Sequence, residues 1–518
     1  LELNIFSTIV CTLIFGIGVD FSIFMTSALQ NEYTTGKNNL ATYRTSILLA
    51  VITTVLSIGT LIFAKHPALK SISSVSLIGI FSAVIITFVF YPLLFKIAFT
   101  NRVKKGKSPI SLRLLLHSTL SFIYYGLGGF MFSVFGQIMM KLLPVNKTIK
   151  MQWFRKAMSK FMKSVLYTNP FATKRIINKN SEDFSKPAII IANHTSFLDT
   201  LAVGLLSHKI IFLVNDWVYN SPIFGRAVKL AGFYPVSSGL EDGITHLKEK
   251  IDEGYSLMVF PEGTRSETNY INRFHKGAFY LAEQFNLDIL PVYIHGNSET
   301  LPKGDHIIYD ENINVIIGNR IAISDTSFGL DYSQRTKSIN KYFRAEFTAI
   351  RKEYEDADYF KNKLFLSFLY KEQQIISQVK EDFKVNKSHY FNLNKYIASD
   401  AKILHIANDF GQIDCLLALQ EPKRKIQTFI FDEEKRNVAS CNYLVKKRNI
   451  SYVNTISETN NNVNTVLISS FSEAIFSLEE NANVSKVILL NSPELTEYFV
   501  KQGFKLAQQE SSILILNR

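Results

Sequence analysis

Three long apolar runs lie close to the N-terminus, at residues 3–29, 47–64 and 72–98. Each is close to the length of about 20 residues that a helix needs to cross a lipid bilayer. Hydrophobic residues make up 47% of the 518-residue chain and charged residues only 19%, a high apolar share for a wholly soluble protein. We therefore predict three membrane-spanning helices within a chain of about three or four structural units, since this length exceeds a single core.

The distribution of positive charge predicts how these helices are oriented. The chain has a net charge of +13, and basic residues follow both the first run (Lys37 and Arg44) and the third (residues 102–107). The positive-inside rule places both segments in the cytoplasm and the short link at residues 65–70 outside. Because the charge lies next to membrane segments, an anionic lipid surface is favoured over nucleic acid as the partner.

The three cysteines, Cys11, Cys415 and Cys441, are too few and too scattered for a disulfide framework or a zinc site. We expect cytosolic soluble domains and no bound metal. The chain begins at Leu1 with no charged leader before the apolar run, so we expect the cut end of a longer protein there and not a signal peptide.

An acidic residue, Asp20, lies inside the first apolar run. An unpaired charge there costs roughly 2.5–3.5 kcal/mol, which indicates a function unless the side chain lies near a helix end and reaches water. Residues 1–100 resemble the C-terminal three helices of the resistance-nodulation-division superfamily, especially its large mycobacterial-type membrane exporters. The matching residues are Gly16, Gly18, Asp20, Phe21, Gly59, His66, Pro67, Ala68, Leu69, Gly79 and Pro92. The resemblance implies a proton-relay role for Asp20, with a missing exporter half as a partner and no transport by this chain alone.

A fourth apolar run, at residues 112–144, has glycines near its middle, at Gly126, Gly128 and Gly129. The basic segment that follows, at residues 147–179, contains no acidic residue, and a single span would export all of its charge. We therefore predict a membrane re-entrant hairpin that bends at the glycines, with both ends cytoplasmic. The basic segment is expected to lie along the membrane surface; the alternative is a solvated helix that packs on the next domain.

Residues 186–199, KPAIIIANHTSFLD, form an apolar run that ends abruptly at polar residues. This pattern predicts a buried strand at residues 188–192, followed by a turn and a helix that Thr195 or Ser196 can cap. His194 and Asp199 then flank the turn and can meet only if His194 folds back. In that geometry the carboxylate fixes the imidazole tautomer, and the ring becomes a general base near neutral pH.

A second run of the same kind, YSLMVFPEGTRS, occupies residues 255–266. The predicted strand is followed by a polar loop in which Gly263 lets backbone amides approach an anion. The guanidinium of Arg265 can donate two hydrogen bonds to a phosphate. Further basic residues follow at Arg273 and Lys276, before a predicted helix. Two such motifs together predict an active site.

These motifs resemble the glycerophospholipid acyltransferase family, typified by the 1-acyl-glycerol-3-phosphate acyltransferases, over residues 152–325. The resemblance implies an O-acyltransferase in which His194 takes a proton from a lipid hydroxyl that attacks an acyl thioester and Asp199 orients the ring. It implies acyl-CoA or acyl-carrier protein as the co-substrate, without a cofactor, a metal or a covalent acyl-enzyme. The implied substrate-binding residues are Asn193, Phe260, Pro261, Glu262, Gly263, Thr264, Arg265 and Lys276.

One block of the family pattern differs in this chain. The family has a basic residue after a Gly-aromatic strand, whereas residues 231–236 here are followed by Ser237 and Ser238. This difference leaves room for a hydroxylated lipid other than lysophosphatidic acid as the acceptor. Arg226, Arg273 or Lys276 could replace the missing charge.

Strand and helix patterns alternate after about residue 391, which predicts a doubly wound α/β domain. The pattern resembles a class I methyltransferase that uses S-adenosylmethionine. Its first loop has His405, Ala407 and Asp409 where that family has an acidic residue and glycines, with only Gly411 retained. Side chains there would crowd a cofactor, so we expect a cofactor-free remnant. The alternative is a shifted cofactor held by Gly411 and Asp432.

The predicted fold class is therefore α/β: N-terminal transmembrane helices, a central α/β glycerolipid acyltransferase domain and a C-terminal doubly wound Rossmann-like domain. The predicted segments are an exporter-like fragment (1–100), a hairpin and basic linker (101–150), an acyltransferase domain (151–330), a helical linker (331–375) and a methyltransferase-like domain (376–518). We predict a multi-pass inner-membrane enzyme that acylates a lysophospholipid or related lipid, with both soluble domains cytoplasmic. The alternative is part of a proton-driven lipid exporter whose soluble domains modify or bind the cargo.

Overall fold

The computed structural model describes residues 5–236, 240–459, 462–477, 483–510 and 512–518. The chain divides into two compact units, one formed by residues 111–355 and the other by residues 1–110 together with 356–518. The first unit is wider than the predicted acyltransferase domain at both ends. Its additional segments are the fourth apolar run and the first helix of the predicted linker.

The N-terminal helices are α1 (Ile5–Thr35), α2 (Leu40–Gly59), α3 (Pro67–Ile85), α4 (Tyr91–Phe95) and α5 (Asn101–Lys104). Two π-helical segments join α3, α4 and α5 into one continuous helical segment. The first of these segments ends at Phe90, two residues before Pro92, whose missing amide hydrogen disturbs regular helical hydrogen bonding. All three predicted spans are helical, and each is long and apolar enough to cross a membrane.

The fourth apolar run forms one unbroken helix, α6 (Leu112–Leu142), so the predicted re-entrant hairpin is wrong. The glycines at its middle do not bend the chain. They let bulky rings approach the helix, because a Cβ atom on Gly128 would overlap Phe161 and one on Gly129 would overlap Phe224. Ring packing and not flexibility therefore explains these glycines.

A seven-stranded sheet forms the core of the unit at residues 111–355. Its strands, β1 to β7, have the spatial order β1-β7-β6-β2-β5-β3-β4, and all neighbours are parallel except β6 and β7. The strands are β1 (Lys174–Ile177), β2 (Ile189–Ala192), β3 (Ile210–Val214), β4 (Tyr234–Pro235), β5 (Ser256–Val259), β6 (Ile289–His295) and β7 (Ile313–Ile317). The β2 strand has no exposed residue, as expected for a central strand of a parallel sheet.

Helices surround this sheet. They are α7 (Lys147–Leu166), α8 (Leu198–Gly204), α9 (Asp216–Tyr219), α10 (Gly225–Leu230), α11 (Leu240–Asp252), α12 (Gly277–Gln284), α13 (Asn297–Thr300) and α14 (Tyr332–Tyr354). The basic helix α7 packs on α6 and α8, while α12 and α14 pack on each other and on strands β2 and β6. Helix α14, predicted as a linker, therefore packs on β6, the neighbour of the motif strand β2.

The C-terminal part of the other unit contains a second seven-stranded sheet, in the order β10-β9-β8-β11-β12-β14-β13. Its strands are β8 (Lys402–Ala407), β9 (Lys425–Ile430), β10 (Asn449–Val453), β11 (Thr465–Ile468), β12 (Lys486–Leu490), β13 (Lys505–Glu510) and β14 (Ile513–Asn517). Its helices are α15 (Lys361–Ser367), α16 (Gln373–Tyr396), α17 (Gln412–Gln420), α18 (Glu433–Ser440), α19 (Tyr443–Lys447) and α20 (Thr496–Lys501). The first five strands are parallel and the order reverses between β8 and β11, which confirms the doubly wound prediction.

A buried lysine joins this domain to the C-terminal end of α1. The Lys371 ammonium donates to the carbonyl oxygens of Thr34, at 3.3 Å, and Val438, at 3.2 Å. The side-chain amide of Gln30 donates to the carbonyl oxygens of Tyr370 and Lys371. Burial lowers the pKa of Lys371 to about 8, and a cation at a helix C-terminus is favourable. The domain is therefore attached directly to the membrane helix.

The packing of α6 predicts that Gly129→Leu destabilises the protein by about 1–3 kcal/mol, the usual cost of overpacking. The matched control is Gly126→Leu, because no heavy atom of the described structure lies within 4 Å of a Cβ atom there. Both changes raise helix propensity equally. Thermal unfolding of the detergent-purified chain should show a lower Tm for Gly129→Leu than for Gly126→Leu. Equal melting temperatures would contradict the packing role.

Candidate active site

Three neighbouring parallel strands deliver polar residues to one edge of the first sheet. Strand β2 lies between β5 and β6, with Ile189 aligned with Leu257 on one side and Ile289 on the other. The carboxyl ends of parallel strands meet at the same sheet edge, which is where open α/β sheets bind ligands. The segments after β2, β5 and β6 therefore converge on one place.

His194 and Asp199 meet in the turn after β2. The Nδ1 atom of His194 lies 3.0 Å from Oδ2 of Asp199. The carboxylate is fully buried, whereas 20% of the imidazole side chain is exposed. The same Oδ2 atom accepts hydrogen bonds from the backbone amides of Thr195, at 2.6 Å, and Ser196, at 2.8 Å. The turn is thus closed around the carboxylate, and with Nδ1 as the donor, Nε2 of His194 can accept a proton.

The other carboxylate oxygen of Asp199 is held by a residue that sequence reasoning missed. The side-chain amide of Asn297 donates to Oδ1 at 2.8 Å, and Asn297 is fully buried. It follows strand β6 just as His194 follows β2. Its signal in the sequence was a polar residue directly after a buried strand, the same signal that marked the other two loops.

The ring of Phe260 stacks on the imidazole of His194, with centroids 4.1 Å apart and planes 16° from parallel. This contact limits rotation of the catalytic candidate about its side-chain bonds. Asn193, in contrast, is buried and joins strands, because its amide both donates to and accepts from the backbone of Ile294 at 2.8 Å. Its geometry favours a structural role over contact with a substrate.

Glu262 connects the two motif loops. Its Oε1 atom accepts from the backbone amide of His194 and its Oε2 atom from that of Asn272, both at 2.8 Å. Burial raises the pKa of Glu262, although these two N–H donors oppose the shift. Since both oxygens are engaged within the protein, the geometry favours a positioning role for Glu262. The Pro261 carbonyl oxygen also has a partner, because it accepts a hydrogen bond from the backbone amide of His275 at 2.7 Å.

The candidate phosphate-binding residues follow Glu262 in the chain. Gly263 has a φ of +70°, and a Cβ atom there would lie 3.0 Å from the ring of His275, so a larger residue is disfavoured at this turn. Thr264 and Lys276 are exposed and Arg265 is half-buried. Ser237 and Ser238 lie outside the described residues. No metal-binding cluster of three or more His, Cys, Asp or Glu side chains occurs in the described part of the chain.

In the second sheet, the residues expected to hold S-adenosylmethionine follow strands β8 and β9. The Asp409 side chain accepts a hydrogen bond from the amide of Gly411 at 2.8 Å, and the hydroxyl of Tyr452 occupies the space beside Gly411. Asp432 caps helix α18 by accepting from the amides of Glu434 and Lys435. The groups expected to hold the cofactor therefore already have partners within the protein.

Further residues fill the same cleft. Ala407, Ile430 and Ala439 form a small buried cluster with Tyr452. His405 stands where an acidic residue was expected, and it bridges Asp414, at 2.7 Å from Nδ1, and Ser469, at 2.8 Å from Nε2. Burial alone would lower the pKa of His405, but Asp414 raises it overall. These side chains therefore stand at the positions where a cofactor site was expected.

Comparisons with known proteins agree with two of the resemblances. The acyltransferase family model matches residues 174–295, and the MMPL family model matches residues 2–109. A chloroplastic 1-acyl-sn-glycerol-3-phosphate acyltransferase of Arabidopsis thaliana is 30% identical over 144 residues, 27% of this chain and 40% of the relative. The corresponding enzyme of Saccharomyces cerevisiae is 31% identical over 139 residues, 25% of this chain and 46% of the relative. The chain therefore spans less than half of the length of these two relatives.

Solved structures were compared as well. The crystal structure of the 1-acyl-sn-glycerophosphate acyltransferase of Thermotoga maritima has 19% identity and a TM-score of 0.41, covering 46% of this chain and 97% of that chain. TrmK of M. capricolum, solved with S-adenosyl-homocysteine, has 16% identity and a TM-score of 0.21, covering 25% of this chain and 67% of that chain. The polypeptide thus joins an MMPL-like segment, an acyltransferase-like segment and a Rossmann-like sheet.

The occupied cleft of the second sheet predicts that the full-length chain does not bind S-adenosylmethionine with a Kd below about 1 mM. Isothermal titration of the detergent-purified protein, with an active class I methyltransferase as the positive control, measures this. The expected result is no saturable heat for this chain. A micromolar Kd would mean that Tyr452 and Asp409 move aside and that the cofactor site is functional.

Proposed function

We propose that the protein is a membrane-bound O-acyltransferase that moves an acyl chain from a thioester to the hydroxyl of a lysophospholipid or related lipid. The observation that supports it most directly is the contact between His194 Nδ1 and the Asp199 carboxylate. The backbone amide of His194 also donates to Glu262, in the loop that carries Arg265. The acyltransferase match over residues 174–295 supports the same reaction class. The acyl donor and the identity of the lipid are part of the proposal.

In this mechanism His194 is the general base. Its Nε2 atom accepts the proton of the acceptor hydroxyl, whose oxygen attacks the thioester carbonyl carbon. The C–O bond forms, the C–S bond breaks, and the departing thiolate recovers the proton from the imidazolium. Asp199 stabilises the imidazolium charge while its own charge stays balanced by four hydrogen-bond donors. Transfer is direct, without a covalent acyl-enzyme.

The acceptor is proposed to be held by its phosphate. Arg265 is half-buried in the loop after β5, and a guanidinium can donate two parallel hydrogen bonds to a phosphate. Gly263 keeps the neighbouring backbone accessible. The relatives named above act, by their names, on 1-acyl-sn-glycerol-3-phosphate, which supports a lysophospholipid as the acceptor here.

The surface of α6 supports a site at the membrane. Its outward face is mostly apolar, and the exposed residues include Leu112, Leu116, Leu120, Leu127, Phe130, Phe135 and Leu142. The helix is long and apolar enough to cross a membrane, but its other face packs on α7 and α10. We therefore propose that α6 lies in the membrane surface without crossing it. This arrangement keeps the basic segment at residues 147–179 on the cytoplasmic side. We propose an inner-membrane protein with cytoplasmic soluble domains.

A second candidate function is a part of a proton-driven lipid exporter, with the soluble domains modifying or binding the cargo. The MMPL match over residues 2–109 supports it. Asp20 is exposed on the surface of α1 within an apolar stretch, where another membrane helix could cover it. We propose Asp20 as the proton-relay residue of such an assembly.

The mechanism predicts that His194→Ala lowers kcat for acyl transfer about 100- to 10,000-fold, the usual contribution of a general base. Purified protein in detergent, assayed with acyl-CoA and a lysophospholipid, measures this by product chromatography. The matched control is His246→Ala, a histidine on helix α11 outside the site. Unchanged activity in His194→Ala would contradict the proposed function.

The position of Asn297 predicts a second effect. Asn297→Ala removes one donor from the buried Asp199, and a hydrogen bond to a charged group contributes about 1.5–3 kcal/mol, so kcat should fall about 10- to 100-fold with KM unchanged. Steady-state kinetics of the purified variant with acyl-CoA and the lysophospholipid measure both constants. An unchanged kcat, or a change confined to KM, would contradict a positioning role for Asn297.

A further inference from the structure

A basic cavity of about 250 Å³ lies beside the loop that carries Arg265. Helix α14 and the segment before α12 form its walls, and five of its nine lining residues are cationic while none is acidic. The cationic residues are Arg273, Lys276, Lys337, Lys341 and Arg344. None of them forms a salt bridge with any residue that the structure describes. The cavity walls therefore concentrate positive charge, and no acidic residue lines them.

Helix α14 contributes three of these charges from one face. Lys337, Lys341 and Arg344 are exposed and follow one another at four- and three-residue spacing, which places them in a row about 10 Å long. Like charges at this spacing repel and destabilise a helix. A row of this kind beside a cavity indicates an anion with several charges.

Hydrogen bonds connect the cavity to the catalytic candidate. The side-chain amide of Asn340, which lines the cavity, donates to the carbonyl oxygen of Asn272 at 3.1 Å. The amide of Asn272 donates to Glu262, which also accepts from the amide of His194. The cavity and the site therefore belong to one hydrogen-bonded framework. A ligand anchored in the cavity can be positioned relative to His194.

We propose that this cavity binds the phosphate-bearing adenosine end of a coenzyme A thioester, the acyl donor. The inference rests on the proposed acyltransferase function. That end of the donor carries a 5′-diphosphate and a 3′-phosphate, and several phosphates match several cations. The acceptor phosphate is already assigned to Arg265, so a separate cationic site beside it suits the second substrate.

The shape of the cavity favours this small polyanion over an acidic carrier protein. A protein partner needs about 800 Å² of complementary surface on each side, whereas small ligands bind in concave pockets. The four lining residues without charge are Phe274, Ser333, Thr336 and Asn340, so hydroxyl and amide groups supplement the cations. The carrier protein is one of the outcomes that the test distinguishes.

The test compares two donors with the same acyl chain, acyl-CoA and acyl-pantetheine, which lacks the adenosine and its phosphates. Full-length Lys337→Ala/Lys341→Ala protein should have a KM for acyl-CoA raised about tenfold or more, which corresponds to about 1.4 kcal/mol of lost binding free energy. Its kcat/KM for acyl-pantetheine and its KM for the lysophospholipid should equal those of the unaltered chain. Adenosine 3′,5′-bisphosphate should compete with acyl-CoA less strongly in this variant. Lys352→Ala, on the same helix but outside the cavity, is the charge-matched control.

The outcomes separate this inference from the proposed function. If the unaltered chain transfers no acyl group from either donor, the proposed function itself is wrong. If it is active and the double variant keeps the same KM for acyl-CoA, the cavity does not bind the donor. A raised KM for the lysophospholipid alone would assign the cavity to the acceptor. A third donor, acyl-carrier protein with the same acyl chain, is assayed in parallel. Sensitivity of the double variant to this donor alone would assign the cavity to a protein partner. This result and a raised KM for the lysophospholipid alone would each overturn the proposal.

Discussion

The candidate site depends on one fully buried carboxylate. A buried charge is costly unless hydrogen bonds compensate for it, and Asp199 receives donors from His194, Thr195, Ser196 and Asn297. Three of these donors come from the turn after β2 and the fourth follows β6. The network can form only if β2 and β6 are parallel neighbours, so the sheet order is a condition for the site. The loop after β5 joins the network through Glu262.

Local sequence patterns predicted what each strand and loop carries, and the structure adds what packs across them. The strand and turn around His194 and Asp199 were predictable, because apolar runs that end in polar residues mark strand ends. Asn297 was missed since its partner is 98 positions away in the chain. The hairpin prediction failed for the same reason: Gly128 and Gly129 suggest a bend until the rings beside them are known.

The C-terminal sheet combines a doubly wound strand order with bulky side chains at the point where that order reverses. Its strand order and its reversal between β8 and β11 follow the doubly wound pattern, which alternating apolar runs predicted well. The cleft at the reversal is occupied by the protein's own groups, among them His405 with Asp414 and Ser469. Its attachment to α1 through Lys371 gives this domain a structural link to the membrane helices. Sequence alone showed only the missing glycines and not which side chains lie beside Gly411.

The most direct test of the account is to follow a labelled acyl chain through the purified full-length protein. The chain is supplied as acyl-CoA, with and without a lysophospholipid, and label is measured in lipid and on protein together with released coenzyme A. Direct transfer with His194 as the base predicts labelled phospholipid and free coenzyme A in equal amounts, only when the acceptor is present, and no label on the protein. Label retained on the protein, or coenzyme A released without an acylated acceptor, would contradict it.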